Sequence, residues 1–215
     1  MASVFPGAID SFTDPLSGSP LNSPSHSAQH ADLNDAAEKL ETYMGLVKVI
    51  PTSVSSVGGT SATLGATGTV TIGSANSSVT VNGAFSSLYD NYVIQYNNGV
   101  GNVSQAMYMA LGASTTTYYS SLLYVAYATN AITANSINNG SNWYIGEATA
   151  ASNTIMATIQ NPFLSRYTHF SGAYAGTVAG SVNGYHATAT SYSSFTISVS
   201  GTITGGTLRV YGYRN

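Results

Sequence analysis

From residue 66 onward, apolar side chains recur at every second position in short runs. Val79 and Val81 flank Thr80; Tyr92, Ile94 and Tyr96 follow, then Met107, Met109 and Leu111, then Ile155, Ala157 and Ile159, then Phe195, Ile197 and Val199, and last Leu208 and Val210. Successive side chains of a strand point to opposite faces, so each run predicts a strand with one face on a core and the other in water. Between the runs, Asn97-Asn98-Gly99 and Asn138-Asn139-Gly140 predict reversals, and Gly205-Gly206 predicts the two-residue turn of a hairpin. The pattern is that of a mainly β protein, with about eight to ten short antiparallel strands in a β-sandwich or jelly-roll head over 66–215.

The front of the chain is built differently. Residues 1–25 hold Pro6, Pro15, Pro20 and Pro24, which predicts an extended arm, and Phe5, Ile9, Phe12, Leu16 and Leu21 are apolar anchors along it. Both a free tail and a tether ordered by a partner fit that composition. Over 26–47 the period becomes helical. His26, His30, Leu33, Ala37, Leu40, Met44 and Val47 alternate spacings of four and three, the a/d spacing of a coiled coil, while Asp32, Asp35, Glu38, Lys39 and Glu41 fall off that line. Ser25 or Ser27 offers an N-cap and Gly45 a stop. So short a helix is marginal alone in water. It is expected either to zip against copies of itself as a trimerisation stalk or to lie against its own β-domain. Residues 48–65, rich in Gly, Ser and Thr, read as a linker.

Charge sharpens this division. The 215 residues carry five Lys and Arg and eight Asp and Glu, and eight of these charges lie within the first 48 positions. Only Asp90, Glu147, Arg166, Arg209 and Arg214 follow, so the head must stay soluble through hydroxyls and amides. A 6% charged fraction with no basic run gives no electrostatic footprint for nucleic acid. No stretch approaches the roughly 18 apolar residues of a membrane span, and the opening Met-Ala-Ser-Val-Phe-Pro-Gly lacks the features of a secretory signal. Without cysteine, neither disulfides nor thiolate metal sites are available.

Three stretches resemble tailed-bacteriophage fibre, collar and minor tail proteins. The helical segment from His26-Ser-Ala-Gln-His30 through Leu33 and Glu38-Lys-Leu40-Glu to Gly45 is similar to a motif common in that group. The close Gly205-Gly-Thr-Leu-Arg209-Val-Tyr211-Gly-Tyr213 resembles the ending of small phage appendage domains. In the middle, Tyr89-Asp-Asn-Tyr92-Val-Ile and Ile159-Gln-Asn161-Pro162-Phe are similar to their strand openings and exits. The resemblance implies a homotrimer in the virion, assembled in the host cytoplasm and attached to other virion proteins (capsid, neck or tail) through residues 1–25. It also implies a distal β-head facing the host surface. It implies no enzyme, cofactor or membrane insertion.

The residues themselves offer candidates for other chemistries. In a three-fold bundle His26 and His30 would form imidazole rings near the axis, able to hold a metal or anion or simply to set register. Glycan hydrolysis needs paired carboxyls, and the head offers Asp90 and Glu147, each more simply a turn or rim residue. A Ser/His/Asp set from His169 or His186 with Asp90 lacks a Gly-x-Ser-x-Gly elbow, and His186 reads as an outward strand position. Fifteen of the sixteen tyrosines lie beyond residue 88. Tyr118, Tyr119, Tyr124, Tyr127, Asn142, Trp143 and Tyr144 are dense enough to form a surface for host-cell glycan, or equally to fill a core or interface. The reading is a short, non-enzymatic trimeric spike; the alternatives are a carbohydrate-binding adhesin module and, further off, a polysaccharide depolymerase.

Overall fold

The computed structural model describes residues 26–43 and 45–213, which divide into two compact units at Val47/Lys48. The anchors Phe5, Ile9, Phe12, Leu16 and Leu21, the side chain of His26, and Met44 lie outside the described residues.

Among its described residues the first unit contributes one helix, α1 (His26–Tyr43). It stops earlier than the heptad predicts, because Gly45 takes the left-handed φ of 84° that ends a helix, and Val47 instead opens a strand. Ser27 sits inside the helix and so is not its cap. Leu33, Ala37, Leu40 and His30, on the seam, are exposed, whereas Ala36, one position off it, is buried.

The second unit is β throughout. Its strands are β1 (Val47–Lys48, shared with the first unit), β2 (Ser53–Gly58), β3 (Thr63–Leu64), β4 (Val70–Thr71), β5 (Asn76–Asn82), β6 (Asn91–Gly101), β7 (Gln105–Leu111) and β8 (Tyr118–Ala126). There follow β9 (Ile132–Gly140), β10 (Trp143–Ala148), β11 (Asn153–Gln160), β12 (Thr168–Ala175), β13 (Val178–His186), β14 (Phe195–Thr204) and β15 (Thr207–Tyr213). Half of the predicted linker, 48–65, is therefore strand. Val54 of β2 lies opposite Val81 of β5, and the serines around it hid this alternation.

The ladders are antiparallel and link the strands into one large sheet, whose two parts face each other as layers across Trp143. The narrow layer runs β10-β7-β14-β5-β2, and the wide one β9-β8-β13-β12-β11-β6-β15-β4-β3. They are joined where Ile203 and Thr204 of β14 meet Gly101 and Val100 of β6. The predicted apolar runs line the space between: Phe195, Ile197 and Val199 lie opposite Leu111, Met109 and Met107, while Ile155, Ala157 and Ile159 lie opposite Tyr96, Ile94 and Tyr92. All twelve are buried in one cluster. Trp143 of β10 ties the layers together. Its ring stacks on Phe170 of β12 at 5.3 Å and meets Tyr118 of β8 edge-on at 5.2 Å.

Three predicted reversals have other roles. Asn97-Asn98-Gly99 lies within β6, where Asn98 at φ 61° accompanies a register slip against β11. Asn138-Asn139-Gly140 closes β9 with a similar slip against β8. Such single-residue insertions bend a strand without turning it back. Gly205-Gly206 does turn the chain, but it carries it from the narrow layer to the wide one, since β14 and β15 belong to different layers. A Cβ on Gly206 would lie 2.8 Å from the Asn97 carbonyl oxygen, so glycine is required there.

Full burial of Trp143 sets a test. Trp143→Ala is expected to cost about 3–5 kcal/mol, the range for large-to-small core changes, read as a lowered urea midpoint of the full chain; an unchanged midpoint would contradict this packing.

Candidate functional site

The outward face of the wide layer is laid out in rows by strand register. Tyr119 on β8 lies opposite Tyr185 on β13, Tyr185 opposite His169 on β12, and His169 opposite Gln160 on β11. Two residues along, Ser121, Asn183, Ser171 and Thr158 make a parallel row. Beyond it come Leu123, Ser181, Ala173 and Met156, then Val125, Ala179, Ala175 and Thr154. The face thus grades from aromatic and amide, through hydroxyl, to aliphatic; on these four strands His169 is the only ionisable side chain apart from the phenols, and Arg209 of β15 joins the Met156 row through Gln95 of β6. Tyr119 and Tyr185 stand nearly parallel, 4.8 Å apart at 8°. Tyr167, just before β12, also stacks on Tyr185, at 6.4 Å and 20°, and is 50% exposed.

The predicted aromatic group is split by the fold. Trp143 and Tyr118 are core residues, because β10 and the start of β8 face inward at those positions; neither meets a surface ligand. Tyr119 is half-buried in the outer row, and Tyr127 is exposed at the β8–β9 turn. Asn142 is half-buried immediately before β10. Tyr144 belongs to a second tyrosine cluster, with Tyr108 edge-on to it at 5.7 Å. Burial raises the Tyr144 and Tyr174 pKa values, and the nearby Glu147 and Tyr124 add to the effect. Desolvation likewise raises Glu147, which sits within β10 and not on a rim.

His186 overturns its outward assignment. Thr168 and Tyr118 lie opposite it on the inner face, and its ring is wholly buried, 4.3 Å from the Tyr118 ring and 5.4 Å from that of Tyr192. Its Nε2 lies 2.8 Å from Ser114 Oγ, the geometry of a nucleophile and its base. The rest of the arrangement opposes that chemistry. Nε2 also lies 3.1 Å from the Thr116 carbonyl oxygen, which only accepts, so Nε2 carries the proton. The basic nitrogen is then Nδ1, buried and without a hydrogen-bond partner. Burial pushes the His186 pKa down, against a weaker upward pull from backbone groups at Thr116 and Thr188. A neutral histidine protonated toward Ser114 takes no proton from it.

Asp90 sits in a bend before β6, where its carbonyl accepts from the Asn161 N–H; Glu147 is on β10. Among the described residues no group of three or more His, Asp or Glu side chains is placed to hold a metal, and no helix is long and apolar enough to cross a membrane. The aromatic row was the part sequence reasoning missed. The alternation His169-x-Ser171 and Asn183-x-Tyr185 marks outward positions, but the register that aligns three strands does not appear in any one of them.

Comparison of the chain with protein-family models, with curated proteins and with solved structures finds no match in any of the three.

The depressed His186 pKa gives a pH test. The unfolded chain takes up this proton near pH 6.5, the folded chain only at lower pH, so stability is whole above about 6.5 and falls as pH drops below it. Glu147 acts oppositely: its raised pKa gives stability present at low pH and lost as pH rises through its folded value. Between neutral pH and about 5.5 the thermal midpoint is expected to fall, and His186→Gln to flatten that slope; an equal slope in the variant would contradict the buried neutral ring.

Proposed function

We propose that this chain is a non-enzymatic virion structural protein of a tailed bacteriophage, a short homotrimeric fibre or spike. In this reading residues 1–25 dock it to other virion proteins, α1 forms a three-helix coiled-coil stalk, and the β unit is a sandwich-type head displayed toward the host surface. The observation that carries it is the state of the α1 seam: Leu33 is 59% and Leu40 42% exposed in the single chain, with Ala37 and His30 beside them. An apolar a/d line left in water is what copies of the same helix cover. Burying a leucine is worth about 1.5–3 kcal/mol, and three helices gain it at two layers each. A helix of 18 residues needs such support.

The head supports the same reading. Its outward face is nearly free of charge, so contacts made there change little with salt, and three copies on one stalk bind by avidity through individually weak contacts. Against serine-type catalysis stands the unactivated Ser114. The carbohydrate-binding reading is favoured by one observation, the stacked Tyr119–Tyr185 pair in the outer row. It is compatible with the spike as what the head does.

Native mass spectrometry of the full chain is expected to give three times the chain mass. Leu33→Asp combined with Leu40→Asp should give a monomer with its β-type far-ultraviolet spectrum intact. A monomeric unsubstituted chain at micromolar concentration contradicts the spike.

A further inference from the structure

We propose that the aromatic end of the wide layer's outer face binds a neutral polysaccharide, laid across the strands along Tyr119, Tyr185, His169 and Gln160. The inference rests on the head being a displayed surface, and it names the ligand class and the residues that would receive it.

The first support is spacing. Each of these residues lies directly opposite the next, so the row advances by one strand spacing per residue. At about 4.8 Å per strand, four strands span about 14 Å. A β-1,4-linked hexose chain advances by a similar step per sugar, so three units match the row. The second support is chemistry. A hexose offers an apolar C–H face and a rim of hydroxyls. Tyr185 is stacked between Tyr119 and Tyr167 and offers its edge and hydroxyl, so the ring surface left for a sugar is that of Tyr167, half-exposed at the end of the stack. Gln160 and the adjacent Ser121, Asn183 and Ser171, all exposed, offer amides and hydroxyls. Holding the rings against one another before any ligand arrives removes part of the ordering cost of binding.

The third support is what the rows lack. On these four strands no outward position carries Asp, Glu, Lys or Arg, so a neutral ligand strands no charge when water leaves. Phosphate backbones, which require several basic contacts, find none there. The aliphatic rows at the other end of the face supply an internal control, because they share the sheet but not the chemistry. Arg166 precedes Tyr167 in the chain and is exposed, which makes an anionic sugar the competing ligand to be tested.

Saturation-transfer NMR on the full chain, with cello- and manno-oligosaccharides from di- to hexasaccharide, reads the proposal directly. Affinity should rise to the tri- or tetrasaccharide and then level off. Tyr185→Ala should weaken it about tenfold, equivalent to about 1.4 kcal/mol, and Tyr167→Ala, outside the strands, should weaken it in a chain with an unchanged melting profile. Met156→Ser and Leu123→Ser, on the aliphatic rows, should leave it unchanged. Absence of transfer to either sugar series overturns the proposal. So does equal binding by both tyrosine variants, or binding confined to a uronic-acid polymer and abolished by high salt. Oligomer mass is read on the same samples. A trimer that ignores the sugars overturns the sugar surface alone, and a monomer that binds them overturns the spike alone.

Discussion

The insertion of Trp143 between the two β layers is the contact on which the rest of the head depends. β10 is the edge of the narrow layer, paired on one side with β7, and its inward side chains reach the wide layer. Trp143 meets Phe170 and Tyr118 there, and Tyr118 in turn holds the β7–β8 connection, its hydroxyl accepting from the Leu111 N–H at 2.7 Å. A bulge between Tyr144 and Gly146 then re-aims the strand, and Gly146 lets it pass the Tyr174 ring: a Cβ there would lie 3.0 Å from it. A buried aromatic of this size removes about 150–250 Å² from water. The chain has no cysteine for a disulfide, and this apolar contact adds to the β14–β6 ladder in coupling one layer to the other.

Once the layers close, their outer faces must stay soluble with very little charge. The wide layer does so with serines, threonines, asparagines and upright tyrosines in register, and the narrow layer with pairs such as Thr80 and Thr196, whose hydroxyls lie 2.8 Å apart. Neutral polar groups are cheaper to dehydrate than ions. The surface that keeps the head soluble is thus also suited to uncharged ligands and to close approach by identical copies. An exposed histidine, His169, sits in the outer row, while His186 on the neighbouring strand, opposite Thr168, is sealed in the core. The same residue type serves both faces, sorted only by the two-residue period.

That period made most of the core legible in the sequence. Every apolar run it picked out, from Val79 and Val81 to Leu208 and Val210, lies buried. It failed where polarity masked a strand, as in Ser53–Gly58, and where a bulge imitated a turn, as at Asn98 and Asn139. It also failed for Tyr118, Trp143 and His186, because aromatic density does not say which face a strand presents. The outer row needed pairings between residues far apart in the chain, which no local pattern encodes. The α1 seam has the spacing of a coiled coil, and it is exposed in the single chain from His30 to Leu40, but the helix ends at Tyr43, before Val47.

Because the chain has no cysteine, a single introduced thiol reports one position without ambiguity. Oxidative cross-linking of the full chain compares Leu33→Cys, on the seam, with Glu38→Cys, off it. A stalk of parallel helices predicts rapid covalent dimers through position 33 and few through position 38. Equal yields from both positions, or none at position 33, would contradict it.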